Sequence, residues 1–233
     1  MISADINIFA ILNIIQIMEL NNIYLGFALA TFAGLSTGIG SGLALFTRSF
    51  NKRFLAIALG LSAGIMIYVS FVELMQLSFE SLMAIYGQNF GKLITVTGFV
   101  VGLLLMLLID QLFDHQSIAD FISRSEDKNE SALIKAGIFS AIALAIHNFP
   151  EGFATFTATV YDPAIGLTLA SAIAVHNIPE GIAVSVPIYY ATKSKRKAFY
   201  ISFLSGLAEP FGALIGFLIF RTVFNEALFG ISF

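Results

Sequence analysis

Two nearly identical hexapeptides carry most of the chemically active side chains of this sequence. HNFPEG occupies residues 147–152 and HNIPEG occupies residues 176–181. The histidine and the glutamate of each copy are four residues apart, so on a helix they project from the same face. The asparagine after each histidine, Asn148 or Asn177, adds an amide oxygen. Imidazole, amide and carboxylate groups in this pattern are typical ligands of divalent metal cations.

Each hexapeptide also contains a proline, Pro150 or Pro179. Because proline has no backbone N–H, the carbonyls four residues earlier, at Ile146 and Val175, lose their helical donor. Free carbonyls at membrane depth are tolerated where they line a cavity or an ion site. The prolines therefore favour an ion site over ordinary helix packing.

A third carboxylate precedes a proline in the next apolar segment, at Glu209 and Pro210. We expect three kinked helices to bring nitrogen and oxygen ligands to one depth. A mixed set without sulfur fits a first-row divalent cation that must bind and then leave. Protonation of His147 or His176 would compete with the metal, so transport should fall in acid.

Other readings of these residues remain open at this point. A single intramembrane histidine is as often a helix-to-helix hydrogen bonder as a ligand, although two copies of one motif and a third Glu-Pro argue against accident. Gly152 and Gly181, which follow the glutamates, are either packing or hinge positions. Glu73 and Asp110 lie near the ends of their segments and are interpreted as interfacial polar residues.

The composition indicates that the elements carrying these residues are membrane helices. Hydrophobic residues make up 58% of the chain and charged residues 12%, whereas ordinary soluble domains have about 25% charged residues. Six segments reach the roughly 20 residues that a membrane-spanning helix needs. They are residues 24–47, 54–78, 93–113, 133–158, 164–190 and 198–221. We therefore predict an all-α fold, a polytopic membrane helix bundle, as a single transmembrane domain over residues 1–233.

The segments outside the predicted helices differ in character. Residues 1–23 are predicted to form an N-terminal segment outside the membrane. Within it, residues 1–17 contain no Lys or Arg and so do not resemble a signal peptide; they are interpreted as a misassigned leader before Met18 or as a loose interfacial segment. Residues 114–131 are polar and charged, which predicts a loop between the third and fourth helices.

The distribution of basic residues predicts the orientation of the chain. Two of the 12 Lys and Arg residues lie on one side, Lys92 and Arg221. The other ten lie in three loops on the opposite side: Arg48, Lys52, Arg53, Arg124, Lys128, Lys135, Lys193, Lys195, Arg196 and Lys197. By the positive-inside rule these loops are cytoplasmic and the N-terminus is outside. The inner or plasma membrane is the expected location, and the net charge of −3 gives no reason to expect a nucleic-acid partner.

The two hexapeptides, together with SGLAEPFGA in the sixth segment, resemble the ZIP (Zrt/Irt-like) metal transporters, and most closely the bacterial ZupT type. The resemblance covers residues from about 24 to the end of the chain. It implies uptake of zinc, and of iron, manganese, cobalt or cadmium, into the cytoplasm, and it implies that the chain is not an enzyme and needs no catalytic cofactor. It also implies a binuclear metal centre. The first site would consist of His147, Glu151, His176 and Glu180. The second would consist of Asn148, Asn177 and Glu209, bridged by the same two glutamates.

The resemblance also implies eight helices, built from an inverted pair of three-helix repeats around helices 4 and 5. Only six are predicted here, so the last two are expected to be missing. One alternative is therefore a truncated paralogue that binds metal without transporting it. An intramembrane metalloenzyme is a second alternative, although the sequence has no HExxH and only three histidines. The glycine-rich first helix and the phenylalanine-rich faces could support a homodimer.

Overall fold

The computed structural model describes residues 8–46, 52–112 and 130–231 and is helical almost throughout these ranges, with no β-strand in them. Side chains are described within residues 20–219 of the same ranges. The elements, in chain order, are α1 (Ile8–Phe46), α2 (Lys52–Tyr68), a π-helical turn (Val69–Leu74), α3 (Met75–Tyr86), α4 (Gln88–Leu112), α5 (Glu130–Tyr161), α6 (Pro163–Thr192), α7 (Lys195–Gly206) and α8 (Ala208–Ile231).

The predicted all-α polytopic bundle is confirmed. Within the described residues, five helical stretches are long and apolar enough to cross a membrane. They are Leu20–Phe46, Arg53–Tyr86, Gln88–Leu108, Pro163–Thr192 and Lys195–Ile219. The remaining predicted segment corresponds to α5, a helix of 32 residues with Pro150 inside it.

The first helix begins earlier than predicted, at Ile8 instead of near residue 24. Residues 8–23 contain neither glycine nor proline and are mostly apolar, so nothing in the sequence ends the helix before the predicted span. Residues 8–23 of the segment expected to be separate therefore belong to α1. The predicted loop 114–131 lies almost wholly outside the described residues, as do residues 1–7.

The last predicted helix is divided in two at Leu207. Pro210 cannot donate to the Gly206 carbonyl four residues earlier, which interrupts the helical hydrogen bonds. The Leu207 N–H instead donates to the Leu204 carbonyl at 3.2 Å, closing α7 with a tighter turn. The division places Glu209 in the first turn of α8, where the helix dipole favours a negative charge.

The centre of the bundle is α6, which contacts α1, α2, α5 and α7. Every residue from Gly181 to Ile188 is buried. Asp162 fixes the start of this helix by accepting a hydrogen bond from the Ala164 N–H at 2.8 Å. On the other side of the bundle, α8 packs against α5, while α4 packs mainly against α3 at the periphery. Both hexapeptides therefore lie in the interior, one on α5 and the other on α6.

Candidate metal centre

The two hexapeptides meet at the carboxylate of Glu151. His147 Nε2 lies 3.2 Å from Glu151 Oε1, one turn apart on α5. His176 Nε2 on α6 lies 3.2 Å from the same oxygen, but out of line for a hydrogen bond. The prediction that the paired His and Glu share a helix face therefore holds on α5. The same face also meets the histidine of the second copy.

The asparagines connect the hexapeptides to the helices on either side. Asn177 Nδ2 donates to the Ala33 carbonyl of α1 at 2.9 Å and to Glu209 Oε1 of α8. Asn148 Nδ2 donates to the Ser205 carbonyl at the end of α7, over a long 3.5 Å. The structure thus brings Glu209 to the hexapeptide of α6 and makes α1 a neighbour of the site.

Six of the seven predicted ligands carry a buried polar atom that has no hydrogen-bond partner among the described residues. These atoms are Asn148 Oδ1, Glu151 Oε2, His176 Nδ1 and Nε2, Asn177 Oδ1, Glu180 Oε2 and Glu209 Oε2. Buried polar atoms are nearly always paired in proteins, and leaving one unpaired is unfavourable. Five of these seven atoms are oxygens, which accept from a donor or bind a cation. This concentration of unpaired acceptors fits a divalent cation as substrate.

The site is closed on one side and more open on the other. Asn148, Asn177 and Glu209 are fully buried. The side chain of Glu151 is 12% exposed and that of His147 is 31% exposed. The asparagines and Glu209 therefore lie at the inner end of the site, and His147 lies at its more accessible edge.

The ligands contact one another instead of converging on one point. No group of three or more His, Asp or Glu side chains is arranged to hold a metal ion within the part of the chain that the structure describes. Glu151 faces both imidazoles, and one oxygen of Glu209 is taken by Asn177. Binding a cation here would therefore require these contacts to be exchanged for bonds to the metal. The division into two metal sites remains a prediction.

The glycines that end the hexapeptides are packing positions. A Cβ built at Gly152 would overlap the carbonyl oxygen of Glu209, and one built at Gly181 would overlap that of Thr37. These contacts bring α8 against α5 and α1 against α6 at the level of the ligands. Of the two readings of these glycines, packing is therefore the one that the contacts support.

The glycine-rich face of α1 is likewise used inside the chain. Gly34 lies against Gly206, and Gly40 lies against the Ile178 carbonyl. These two glycines are therefore not available as a dimer contact, whereas a Cβ built at Gly42 would meet no described atom within 4 Å. The homodimer remains a prediction.

The structure places Glu73 apart from the site. Glu73 is half-buried in the π-helical turn and lines a mostly apolar cavity between α2 and α6, with Thr168 opposite. The side chain of Asp110 lies outside the described residues. The reading of these two carboxylates as interfacial remains a prediction.

Several buried hydroxyl groups near the site were not predicted from the sequence. Ser41 Oγ donates to Ser202 Oγ at 2.6 Å, and Ser202 Oγ in turn donates to the Gly181 carbonyl at 3.1 Å. Thr37 and Thr155 are fully buried, and their hydroxyls have no partner among the residues described. An isolated Ser or Thr in an apolar segment belongs to no recognisable spacing pattern, so the sequence does not indicate that these hydroxyls lie near the site.

The chain is similar to known zinc transporters over most of its length. A family described as ZIP zinc transporter matches residues 114–231. The chain is 49% identical to the zinc transporter ZupT of Chlorobium chlorochromatii over 219 residues, covering 91% of this chain and 82% of the relative. ZupT of Lysinibacillus sphaericus is also 49% identical, covering 91% and 81%. ZupT of Clostridium perfringens is 44% identical over 231 residues, with the same coverage of 91% and 81%.

Proposed function

This chain belongs to the ZIP zinc transporter family, and we propose that it carries zinc across a membrane into the cytoplasm. Its relatives are named as transporters, not enzymes. The observation that supports this function is the cluster of buried, unpaired acceptor atoms that α5, α6 and α8 contribute. A chain that used these side chains only for helix packing would be expected to pair them.

We propose the seven predicted side chains as the cation-binding residues: His147, Asn148, Glu151, His176, Asn177, Glu180 and Glu209. Carboxylates in a medium of low dielectric repel one another and are poorly solvated, so a dication that binds between them is strongly attracted. Glu151 already contacts both imidazoles, which supports its assignment as a shared ligand. The greater burial of Asn148, Asn177 and Glu209 supports an outer and an inner cation position, bridged by Glu151 and Glu180.

Zinc is the first substrate to test, because the relatives are named for it. The site combines imidazole nitrogen with carboxylate and amide oxygen and has no sulfur, a set that also binds iron, manganese and cobalt. These cations, and cadmium, are proposed as competing substrates. Their order is measured by adding each of them to a zinc-uptake assay.

We propose that the chain lies in the inner or plasma membrane with its N-terminus outside. The ten-to-two distribution of basic residues supports this orientation, by the positive-inside rule. The α6–α7 connection, with Lys193 in it and Lys195 and Arg196 at the start of α7, would then be cytoplasmic. Zinc would move from the side of the α5–α6 connection toward the side of the α6–α7 connection.

Uptake of labelled zinc into proteoliposomes tests the function. The wild-type chain should fill the vesicles faster than protein-free vesicles, and Glu151→Ala with Glu180→Ala should reduce uptake to that background. Glu80→Ala is the matched control, because Glu80 is an exposed carboxylate on α3. Equal uptake by the wild-type chain and the double variant would show that the site assignment is wrong.

The same preparation distinguishes the alternatives. A paralogue that binds without transporting would bind zinc in equilibrium dialysis, lose that binding in the double variant, and show no uptake in vesicles. A metalloenzyme would show zinc-dependent turnover of a lipid or peptide. The transport proposal requires binding and uptake to be lost together in the double variant.

A further inference from the structure

A short sequence in α1 is repeated at the junction of α7 and α8. Residues 33–40 read AGLSTGIG and residues 205–212 read SGLAEPFG. The two stretches share Gly, Leu and Gly at their second, third and eighth positions. In this comparison Thr37 corresponds to Glu209, at the fifth position of each stretch.

The contacts of the two stretches repeat as well. Each stretch offers its first carbonyl to an asparagine, its fifth carbonyl to the glycine that ends a hexapeptide, and its last glycine to the carbonyl before a proline. In α1 the asparagine is Asn177, the hexapeptide glycine is Gly181, and the carbonyl before the proline belongs to Ile178. At the α7–α8 junction the corresponding residues are Asn148, Gly152 and Phe149. The stretch in α1 therefore packs on the hexapeptide of α6 as the stretch at α7–α8 packs on the hexapeptide of α5.

Gly34 and Gly206 mark the centre of this arrangement. A Cβ built at either glycine would overlap the carbonyl oxygen of the other, so these two corresponding residues contact each other. A contact between equivalent positions is expected where an approximate two-fold axis passes. The axis relates α1 and α6 to α8 and α5, and it relates Thr37 to Glu209.

The Thr37 hydroxyl is unpaired for a reason visible in the structure. Helical Ser and Thr often donate to the carbonyl four residues earlier, as Ser36 does to Phe32 at 3.1 Å. For Thr37 that carbonyl belongs to Ala33, which instead accepts from Asn177 at 2.9 Å. Thr37 is fully buried, and its Oγ1 has no partner in the described part of the chain.

The residue that symmetry assigns to Thr37 as its partner, Asn148, also has an oxygen that is unpaired in the described part of the chain. Glu209 hydrogen-bonds Asn177, so its counterpart Thr37 should face Asn148. Asn148 Oδ1 is buried and without a partner among the described residues. The threonine side chain is two bonds shorter than the glutamate side chain. The Thr37 hydroxyl and the Asn148 oxygen therefore remain unpaired within the described residues, whereas Glu209 and Asn177 contact each other directly in the other half of the site.

We infer that Thr37 is the counterpart of Glu209 in the cation site and supplies a neutral oxygen to the bound cation from α1. This inference rests on the proposed function. It makes the two halves of the site alike in position and unlike in charge, since one half has a carboxylate where the other has a hydroxyl. A carboxylate at both positions would hold a dication more tightly and release it more slowly. Thr37 therefore limits affinity in favour of turnover.

Exchanging the two side chains tests whether their positions are equivalent. Glu209→Thr alone should weaken zinc binding about 10–100-fold, the range found when a group supporting a metal site is lost. Combining it with Thr37→Glu should restore binding about tenfold or more, because the carboxylate returns at the related position. The control combines Glu209→Thr with Ser36→Glu, which puts the carboxylate at the adjacent buried position and should restore nothing. Equilibrium dialysis of 65Zn against the purified chain gives the dissociation constants.

A conservative pair of variants covers the case in which the exchanged chain does not fold. Thr37→Val keeps the shape and removes the hydroxyl, so zinc should bind about tenfold more weakly, while Thr37→Ser should bind nearly as the wild type does. The inference is overturned if folded Thr37→Val binds zinc like the wild type, or if the folded exchange variant binds no better than Glu209→Thr. Failure of the wild type itself to bind zinc would instead refute the proposed function.

Discussion

At the scale of single residues, Glu151 is the side chain that joins the two halves of the site. One of its oxygens faces the imidazoles of His147 and His176 at 3.2 Å each. The other oxygen has no partner among the described residues. Glu180, the equivalent residue of the second hexapeptide, also has an unpaired buried oxygen but contacts neither imidazole within ion-pair distance in the described structure. The two glutamates are therefore equivalent in sequence but not in their contacts.

Replacing Glu151 with glutamine should reduce zinc affinity by at least about 10–100-fold, the loss seen when only an outer partner of a metal ligand is removed. Glutamine keeps the size of the side chain and removes the charge that attracts the dication. Isothermal titration of the purified chain with zinc measures the effect. Glu80→Gln removes a carboxylate outside the site and should leave the affinity unchanged. An unchanged affinity in Glu151→Gln would exclude Glu151 as a ligand.

Asn177→Asp should destabilise the chain, and zinc should reverse part of the loss. The change removes both donors of Asn177, to the Ala33 carbonyl and to Glu209, and adds a charge beside the Glu209 carboxylate. Leaving buried groups unpaired costs about 1–3 kcal/mol each, and a bound cation would offset the added repulsion. Thermal melting with and without zinc measures both effects.

Asn22→Asp is the control for this variant, because Asn22 donates to the Val160 carbonyl at 3.5 Å, outside the site. Zinc should not raise its melting temperature more than it raises that of the wild type. If zinc stabilises both variants equally, Asn177 does not lie beside the bound cation.

At the scale of elements, the hexapeptides carry the proposed ligands and also pack the helices together. Gly152 lets α8 approach α5 until the Glu209 carbonyl touches it, and Gly181 lets α1 approach α6 in the same way. Small residues permit such close approach between membrane helices. The final glycine therefore sets the distance between the ligands of one helix and those of the next.

Gly152→Ala should weaken zinc binding and lower stability together. The added methyl group would overlap the Glu209 carbonyl, and inserting a methyl group into a packed core typically costs about 1–3 kcal/mol. Gly42→Ala is the matched control, because no described atom lies within 4 Å of a Cβ at Gly42. Melting temperatures and zinc titrations of both variants give the comparison. Wild-type behaviour of Gly152→Ala would show that the α5–α8 contact is not needed for the site.

Some features of the site could be predicted from the sequence, and others depend on how the helices pack. The hexapeptides, the shared face of His147 and Glu151, and the break before Pro210 follow from local rules of spacing and proline chemistry. The contact between α1 and the site does not follow from these rules. Asn177 contacts the Ala33 carbonyl, which is a backbone group that every residue type has, so no side chain in the sequence indicates it. Nor does spacing alone indicate that His176 lies beside Glu151, since that contact depends on how α5 and α6 pack.

At the scale of the whole molecule, the bundle holds a polar interior inside an apolar exterior. The proposed ligands lie on α5, α6 and α8, in the part of the bundle where α1 also packs. Large apolar side chains are exposed on α2 and α4, as in Leu61 and Leu104, which suits contact with lipid. The uneven distribution of basic residues is the basis of the orientation proposed for this bundle in the membrane.

Single-cysteine labelling checks that direction directly, because the chain has no cysteine of its own. With Tyr161→Cys, at the outer end of α5, a membrane-impermeant maleimide should label intact cells. With Arg196→Cys, in the first turn of α7 beside the basic α6–α7 connection, it should label only after the membrane is permeabilised. Tyr161 and Arg196 are both exposed, so a difference in labelling would not be caused by burial of the cysteine within the protein. The reversed pattern would show the opposite orientation.

The position of bound zinc tests the central claim most directly. Anomalous diffraction at the zinc edge, from crystals of the zinc-bound chain, locates the ion independently of any assumed ligand. We predict zinc density between α5, α6 and α8, with imidazole nitrogen at about 2.0–2.1 Å and carboxylate oxygen at about 2.0–2.2 Å. Zinc held elsewhere, with no density within bonding distance of His147, Glu151, His176, Glu180 or Glu209, would contradict the account.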